Sequence, residues 1–511
     1  MQNKIASVID IGSSEIRMHI AQADYSSETV KYLESLSYPL SIGRDTFNTG
    51  KINFDKVDKA CEVIKNFLLL AKGYGIRAQN VRTVASTAMR EAANIDYILD
   101  QIKIKTGVAV HVMDDLEEKR NIYKLLSHYA EDFLKKSAVI VYIGTGSIGV
   151  TLFIDGKMPQ TWNIRVGSLR MGELFGDLQE YTRDFYRLME EYLAGYTYKL
   201  RDSLPKGIQH FIVSGQESGL IAELVLNESS NAPIFEIPRS DFDNFYEKIK
   251  RKTIDCISVD YNLDADKAET VLPAVCICRN LLNCTDADVL TASRLLPCDA
   301  ILFEMLFPEK FLAINKRFDK GTALSAQKLA VRHSANIPHG ELVRDFALLI
   351  FDKIRRLHGL GSRDKLLLTA AAYLHDVGEC VNTLDHHKIS YDIIRRSDIV
   401  GLTQAEQEIV AIICRFHSST PDLSTRCYAS LPPEKKVRVS KLAAMLRLAD
   451  AMDRSHTQKC RFADVKLSED SLLITISTAE NMTLEQWAFS QKSRFFEEVF
   501  GIKAIMKIKK G

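Results

Sequence analysis

The 511-residue sequence has no apolar run approaching the roughly 18 residues that a membrane-spanning helix requires. The longest candidate, Leu366 to Leu374, is too short and predicts a buried helix instead. Asp10 interrupts the first apolar stretch, which excludes a signal-peptide core at the N-terminus. We therefore expect a cytoplasmic protein with no membrane partner.

Paired cysteines and an excess of one charge sign are also missing. The ten cysteines are scattered, and the closest two, Cys276 and Cys278, have neither a second pair nor a histidine near them. This pattern argues against a zinc ribbon and predicts reduced core thiols. With 67 Lys+Arg and 66 Asp+Glu, the formal charge is +1, so we expect no specific nucleic-acid partner.

The length predicts three to four domains. Strand and helix signals alternate over the first hundred residues, as in the strand Ala6 to Ile11 and the helical period from Val57 to Ala71, which predicts α/β layers. Long helical periods begin at Ser325, and strand signals return at Arg461. The predicted domains are 1–130, 131–315, 320–456 and 457–511.

Two similar Gly/Ser turns lie 132 residues apart, in Val8 to Ser14 and Ile140 to Ser147. Backbone N–H groups in such turns bind phosphate oxygens, and the hydroxyls add donors. Either turn alone is most often an ordinary turn, but the pair predicts two similar domains facing each other across a phosphate site. The candidate phosphate-binding residues are Gly12, Ser13, Ser14, Gly144, Thr145, Gly146 and Ser147.

Charged residues follow two further strands. Arg90 is predicted in the first turn of a helix, where an arginine is favourable only near an anion; the alternative is a surface ion pair with Glu91. Glu117 and Glu118 follow the next strand. A carboxylate there can orient a water molecule for attack on phosphorus, and the alternative is a solvated helix face.

From about Ile5 to its end, the sequence resembles the exopolyphosphatase and guanosine pentaphosphate phosphohydrolase (Ppx/GppA) family of the actin and sugar-kinase superfamily. Val8 to Ser14 is similar to its first phosphate loop, Ala85 to Asn94 to its Arg-Glu-Ala-x-Asn segment, and Glu117 to Arg120 to its Glu-Glu-Ala-Arg segment. Gly167 to Arg170 resembles the segment after the second domain's first hairpin.

This resemblance implies an α/β fold with two actin-like (ribonuclease H-like) domains facing across a cleft. It also implies hydrolysis of terminal phosphoanhydride bonds in polyphosphate or a guanosine polyphosphate nucleotide, with Glu118 as general base and Arg90 on the phosphate. The expected cofactor is a divalent metal, magnesium in the family's cleft, and a homodimer is one expected assembly.

The second phosphate loop departs from the family pattern at both magnesium-binding acidic positions. Tyr142 stands where the family has Asp, and Gly149 where it has Glu. A hard cation needs oxygen ligands, so this loss removes most of the hold on magnesium and leaves Asp10 as a weak ligand beside Glu117 and Glu118. Tyr142→Asp with Gly149→Glu is expected to raise magnesium-dependent activity.

Eight of the twelve histidines lie between His333 and His456. The order His339, His375-Asp376, Asp450 resembles the HD metal-dependent phosphohydrolases and implies an all-α HD-like domain before a small α+β tail. Nitrogen and carboxylate ligands suit manganese, iron or zinc. Some HD enzymes take ligands for a second metal from the intervening positions, here His386, His387 and His417. The alternative is that these histidines only pack between helices.

Three functions stay open at this point. The first, which we prefer, is an exopolyphosphatase-like enzyme with a degenerate metal loop. In the second, the front half is a non-catalytic phosphate- or alarmone-binding module and the HD-like domain is a metal-dependent phosphohydrolase. In the third, the whole chain is a non-enzymatic sensor.

Overall fold

The computed structural model describes residues 4–175, 178, 184–228, 232–460 and 462–510. It divides into two compact units, unit one (1–318) and unit two (319–511). Among the described residues, no helix is both long and apolar enough to cross a bilayer.

Unit one begins with a five-stranded sheet in the order β3-β2-β1-β4-β5. Its strands are β1 (Ile5–Ile11), β2 (Glu15–Asp24), β3 (Thr29–Pro39), β4 (Arg82–Ala85) and β5 (Val110–Val112). Strands β1 to β3 are antiparallel, whereas β4 and β5 run parallel to β1. The ends of β1 and β4 therefore meet at one edge of the sheet, where the Gly12 turn and the Arg90 segment follow.

Six helices accompany this sheet. They are α1 (Ile42–Thr49), α2 (Phe54–Gly73), α3 (Thr87–Glu91), α4 (Ile95–Thr106), α5 (Asp115–Tyr129) and α6 (Glu131–Leu134). The predicted apolar positions of α2, among them Val57, Cys61 and Ile64, are buried against the sheet. Arg90 lies in the last turn of the short α3, not in its first turn as expected.

The second sheet repeats the plan of the first. Its order is β10-β11-β9-β6-β7-β8, with β6 (Ala138–Ile143), β7 (Ile148–Ile154), β8 (Lys157–Ile164), β9 (His210–Gly215), β10 (Ile234–Pro238) and β11 (Val289–Ser293). An antiparallel run, β6 to β8, is again followed by strands parallel to its first member, β9 and then β11. The two Gly/Ser turns thus occupy equivalent places, each after the first strand of its sheet.

In the described part of the chain, six helices accompany the second sheet. They are α7 (Ser168–Phe175), α8 (Phe185–Ser203), α9 (Ser218–Leu226), α10 (Arg239–Ile249), α11 (Ile254–Tyr261) and α12 (Ala265–Leu282). The next helix, α13 (Pro297–Leu306), packs against α5 and β1 instead. The following helix, α14 (Pro308–Arg332), contains the division between the two units.

Unit two is helical before it ends in a three-stranded sheet. Its helices are α15 (Ile337–Lys353), α16 (Arg355–His358), α17 (Ser362–Leu374), α18 (His386–Arg396), α19 (Gln404–Arg415), α20 (Arg426–Ala429) and α21 (Pro433–Ala451). The last part contains β12 (Phe462–Leu467), β13 (Ser471–Thr478), α22 (Thr483–Phe500) and β14 (Lys503–Lys510).

One apolar core joins the helical part of unit two to its last 50 residues. Met445 of α21 and Phe496 of α22 are fully buried in this core, together with Ile474 of β13. The domain boundary expected near residue 457 therefore falls inside a compact unit with a shared core. This sharing brings α22 next to the helices that carry the histidines.

Candidate active cleft and candidate metal centre

The two Gly/Ser turns of unit one meet. The N–H of Gly12 donates to the Glu15 carbonyl at 3.0 Å, and the N–H of Gly144 donates to the Ser147 carbonyl at 2.9 Å, so both turns close in the same way. Ser13 Oγ lies 3.1 Å from Thr145 Oγ1. The region around these turns is called the front cleft below.

A cavity of about 40 Å³ lies between the turns and is lined by Gly12, Ser13, Gly144, Thr145 and Glu118, among others. This is space for about three water molecules, so the cavity admits only a small polar group. A larger cavity of about 740 Å³ shares Arg17, Gln216 and Leu296 with it and also reaches Ser14.

The remaining candidate phosphate residues support the second turn. Ser147 Oγ donates to Asp115 at 2.5 Å. A Cβ added to Gly146 would lie 2.9 Å from Thr87 Cγ2, which is closer than carbon atoms pack, so this turn needs glycine. Neither Gly146 nor Ser147 is among the residues that line the small cavity.

Arg90 forms an ion pair with Glu118. Its Nη1 donates to Glu118 Oε1 at 2.8 Å and to the Met113 carbonyl at 2.6 Å, while Nη2 donates to Thr87 at 3.1 Å. Glu91, the alternative partner considered from the sequence, instead accepts from Arg170 at 2.6 Å. Arg90 is thus held at the cleft.

Glu118 lies in the first turn of α5 because Asp114 caps this helix, accepting the N–H of Glu117 at 2.8 Å. Burial raises the pKa of Glu118 to about 7, although Arg90 opposes the rise. Tyr142 Oη donates to its second oxygen at 3.4 Å. A buried carboxyl with a pKa near neutrality has the properties of a general base.

Asp10 is paired with a cation of the protein. Arg17 Nη1 lies 3.7 Å from Asp10 Oδ2, and Arg17 Nε and Nη2 donate to Glu15 at 2.6 and 2.5 Å. Burial raises the pKa of Asp10, and Arg17 counteracts this rise. Sequence reasoning missed Arg17, although its position on β2, directly beside Asp10 in the β1–β2 pairing, is a local signal.

Lys119 fills the space beside Gly149. A Cβ on Gly149 would lie 2.7 Å from both Cδ and Cε of Lys119 and 2.8 Å from Tyr123 Oη. The Lys119 ammonium donates to Asp115 at 2.6 Å and to Asn163 at 2.5 Å. The expectation that Tyr142→Asp with Gly149→Glu raises magnesium-dependent activity stays a prediction, and it requires Lys119 to move from the position of the new side chain.

These contacts show that the front cleft does not fit a magnesium ion. Tyr142 and Gly149 offer no carboxylate, Asp10 is paired with Arg17, and Glu118 with Arg90. Among the described side chains that line the small cavity, no three metal-binding groups converge on one point.

The segment that follows β9 lies at the larger cavity. Its Gln216 and Glu217 line this cavity, Ser168 Oγ donates to Glu217 at 2.9 Å, and burial raises the pKa of Glu217 to about 6. Arg294 and Lys267 also line this cavity, so it offers both acceptors and cations to a ligand.

In unit two, the four residues expected to bind a metal converge. His339 Nε2 lies 3.1 Å from His375 Nε2, 3.6 Å from Asp376 Oδ2 and 3.5 Å from Asp450 Oδ1. All four side chains are buried. They come from the first turn of α15, the end of α17 and the end of α21.

Hydrogen bonds orient the imidazole rings. His375 Nδ1 donates to the Ala372 carbonyl at 2.8 Å, and His339 Nδ1 donates to the Asp453 carboxylate at 2.8 Å. In a neutral ring that donates through Nδ1, Nε2 carries a lone pair. Burial opposes a charge on His339, but Asp450 and Asp453 raise its pKa to about 10, so a metal ion at this Nε2 would have to displace a proton. Two Nε2 atoms 3.1 Å apart, with both Nδ1 atoms used for donation, are an arrangement typical of metal-binding histidines.

A second histidine pair faces the other oxygen of Asp376. His386 Nε2 and His417 Nε2 lie 3.1 Å apart and 3.6 and 3.2 Å from Asp376 Oδ1. Their Nδ1 atoms donate to the Thr383 and Cys414 carbonyls. Burial lowers the pKa of His417 to about 4, which keeps the ring neutral.

The histidine cluster, as we name it, consists of His339, His375, Asp376, His386, His417 and Asp450. Its donor set fits two metal ions bridged by Asp376, because one carboxylate oxygen faces each histidine pair. His387, considered from the sequence, contacts Ser419 at 3.5 Å instead and joins none of the described ligand groups.

Three residues around the cluster escaped sequence reasoning. Asp453 orients His339, and the His456 ring stacks on the His339 ring with centroids 3.8 Å apart. Asp453 follows Asp450 by three residues, which was a usable signal, whereas His456 lies further beyond the end of α21 at Ala451. Lys492 of α22 donates to Asp450, and no local pattern marks it because the contact depends on tertiary packing.

Two sheets of one plan, with a Gly/Ser turn after the first strand of each, are typical of the actin-like fold. Comparison with known families is consistent with this class: residues 20–297 match the Ppx/GppA phosphatase family, and residues 323–492 match Ppx/GppA phosphatase, domain III. The chain belongs to the Ppx/GppA phosphatase family. Enzymes of this family generally depend on a divalent metal.

Individual relatives agree with this assignment. A guanosine-5'-triphosphate,3'-diphosphate pyrophosphatase of Photobacterium profundum is 21% identical over 485 residues, covering 92% of this chain and 91% of the relative. The crystal structure of the Aquifex aeolicus Ppx/GppA family member has a TM-score of 0.51 at 20% identity, and covers 60% of this chain and 99% of its own. An exopolyphosphatase structure from Cytophaga hutchinsonii has a TM-score of 0.50 at 17% identity, over 59% and 98%.

Proposed function

We propose that this protein is a phosphohydrolase that cleaves terminal phosphoanhydride bonds of polyphosphate or guanosine pentaphosphate in its front cleft. The observation that carries the proposal is the position of Glu118, a buried carboxyl with a pKa of about 7 at the cavity where the Ser13 and Thr145 turns meet. The names of the Photobacterium and Cytophaga relatives support this substrate class.

The residues of the front cleft have separate proposed roles in binding and hydrolysis. The terminal phosphate would lie between the turns of Gly12 and Gly144, where backbone N–H groups and the hydroxyls of Ser13 and Thr145 can donate to its oxygens. Glu118 would accept a proton from the attacking water. Arg90 would hold Glu118 in place and stabilise charge that develops on the phosphate.

Phosphate release from long-chain polyphosphate and from guanosine pentaphosphate tests this proposal. Glu118→Gln should lower the rate by about 100-fold or more, since it removes the base. Glu117→Gln is the matched control: it is adjacent on α5, accepts from His111 at 2.9 Å and should keep the wild-type rate. Equal rates for both variants would refute the proposal; ligand binding without release would favour the sensor function.

The histidine cluster supports a second candidate function, metal-dependent hydrolysis of a phosphate ester in unit two. The specific observation is that Asp376 presents one oxygen to each pair of imidazole lone pairs. His339, His375, Asp376 and Asp450 would hold one ion, and Asp376, His386 and His417 a second, of the manganese, iron or zinc type. Bound metal would provide an acidic water and charge neutralisation.

Hydrolysis of p-nitrophenyl phosphate by protein loaded with manganese, iron or zinc separates this candidate from the first. The double variant His375→Ala with Asp376→Ala should abolish this activity if the cluster is catalytic, while Glu118→Gln should leave it intact. If the metal only joins the helices, the double variant should lose thermal stability, and phosphate release at the front cleft should persist.

A further inference from the structure

The front cleft contains two side-chain cations at positions that bear on a divalent ion. Arg17 lies beside Asp10, the remaining carboxylate of the first loop. Lys119 fills the space that any side chain at position 149 would need. Each cation is buried with a carboxylate partner, since Lys119 pairs with Asp115.

Arg17 is placed to meet a ligand. It lines both the small cavity and the larger one. Its Nε and Nη2 are used by Glu15, whereas Nη1, 3.7 Å from Asp10, makes no hydrogen bond to the described part of the chain. The N–H groups of Nη1 can therefore donate to a ligand while Asp10 stays the ion-pair partner of Arg17, and charge-assisted bonds to phosphate oxygens are about twice as strong as neutral ones.

Lys119 acts on the second loop. By pairing with Asp115 it neutralises the carboxylate that accepts the hydrogen bond of Ser147. A Cβ at position 149 would lie 2.7 Å from its aliphatic chain, so a carboxylate there requires Lys119 to move. Lys119 thus crowds the position of a metal ligand and compensates a nearby negative charge.

Resting on the proposed function of this cleft, we propose that the front cleft binds the terminal phosphate of its ligand without a divalent ion, because the Arg17 guanidinium provides a cation at the cavity instead. Arg17 Nη1 contacts a phosphate oxygen, and Lys119 keeps the second turn in its binding geometry. Divalent ions added in solution then have little effect on phosphate affinity at this cleft.

The test is calorimetric titration of the full-length protein with tripolyphosphate, in chelator and in magnesium. The dissociation constants should agree within about threefold. Arg17→Ala should weaken binding about 10- to 100-fold in both buffers, and Arg17→Lys should weaken it less. The control is Arg187→Ala, which changes an exposed arginine of the same unit and should bind as wild type. Repeating the titration with inorganic phosphate, which chelates magnesium weakly, separates an effect on the protein from one on the ligand.

The outcomes distinguish this inference from the function on which it rests. Binding that appears only with magnesium overturns the inference and leaves the phosphohydrolase proposal standing. If neither ligand binds in either buffer, both fall. If binding is metal-independent but Arg17→Ala binds as wild type, Arg17 is not the cation that meets phosphate and the inference is wrong.

A converse variant tests the role of Lys119. Lys119→Ala removes the side chain that crowds position 149. The triple variant Lys119→Ala, Gly149→Glu and Tyr142→Asp should therefore bind tripolyphosphate at least about tenfold tighter with magnesium than in chelator. Gly149→Glu with Tyr142→Asp, keeping Lys119, should not gain this response. A magnesium response in the double variant would show that Lys119 does not exclude the metal, against the inference.

Discussion

The front cleft and the histidine cluster both bury carboxylates, but they compensate the negative charge differently. In the cleft, side-chain cations pair with Asp10, Asp115 and Glu118. In the cluster, Asp450 also has a lysine partner, but Asp376 faces the Nε2 atoms of four imidazoles and has no Lys or Arg partner among the described residues. The carboxylates of the cleft are therefore paired with side-chain cations, whereas Asp376 stays available to a metal ion.

Enzymes of this family generally depend on a divalent metal, and this difference indicates which of the two sites is the better candidate to bind it. A carboxylate paired with a guanidinium has much less affinity for a divalent ion, since the ion must displace the guanidinium. Imidazoles whose Nδ1 atoms already donate have only Nε2 left, and Nε2 is the usual metal-binding atom. In this chain the donor sets therefore favour a metal in unit two over one in the front cleft.

The largest expected effect is loss of metal from the cluster. His375→Ala with Asp376→Ala removes ligands of both candidate ions, so transition metal measured by plasma mass spectrometry after loading should fall to background. His333→Ala, in the same unit beside Cys380, should keep the metal. Metal retained by the double variant, or absent from the wild type, would remove the contrast between the two sites.

A smaller effect is expected at Lys492, whose ammonium donates to the buried Asp450. Lys492→Met removes the ammonium partner of that carboxylate and leaves only the His339 ring 3.5 Å away; loss of one partner costs about 3–5 kcal/mol in comparable buried pairs. A metal ion beside Asp450 would compensate part of this loss. Calorimetric melting should therefore show a large drop in the melting temperature of Lys492→Met in chelator and a smaller drop after metal loading.

The exposed Lys388, paired with Asp385, is the control for Lys492. Lys388→Met should change the melting temperature little in either buffer, because surface ion pairs contribute about 0–1 kcal/mol. Equal drops for Lys492→Met with and without metal would mean that no ion approaches Asp450.

In the front cleft, Arg90→Ala should weaken tripolyphosphate binding about 10- to 100-fold, which is the loss of one charge-assisted contact of about 1.5–3 kcal/mol. Arg82→Ala, an exposed arginine on β4, is the matched control and should bind as wild type. Both should keep the metal content of the cluster. If Arg90→Ala binds normally, its guanidinium serves Glu118 alone.

Much of the fold and of the two candidate sites could be predicted because the sequence patterns that indicate them are local. A strand followed by Gly12-Ser13-Ser14, or a helix ending in His375-Asp376, is a contiguous pattern, and the structure brings each pattern to the place expected. The order of the metal-binding residues was predictable for the same reason. Their roles in binding and catalysis stay predictions.

The parts that escaped prediction depend on pairs distant in sequence. The glycine at 149 was recognisable as a missing carboxylate, but the lysine at 119 that fills its space is 30 residues away, and only the fold relates them. Lys492 reaches Asp450 across 42 residues through a shared core. A single sequence has no periodic signal for such contacts.

The smallest expected effect concerns pH and Glu118 alone. Its pKa is raised to about 7 by burial, so the carboxyl is protonated and unable to act as a base at lower pH. Phosphate release in the front cleft should fall up to about tenfold per unit as pH decreases below 7 and level off above it. Arg90→Lys, which keeps a cation but loses the second guanidinium nitrogen that donates to Thr87, should retain this inflection.

The same shift predicts a stability change of opposite direction. Between the ordinary pKa of 4.5 and about 7, the folded protein holds a proton on Glu118 that the unfolded chain has released. This group's contribution to stability is therefore fully present below the ordinary pKa and is lost as pH rises through 7. Activity and stability should thus change in opposite directions across neutrality, measured by initial rates and thermal melting on the same samples. The pKa values of Asp376 and Asp450 are held well below the ordinary range. Ester hydrolysis in unit two should therefore not show the inflection that depends on Glu118. If phosphate release by Glu118→Gln still shows an inflection near pH 7, a group other than Glu118 causes it.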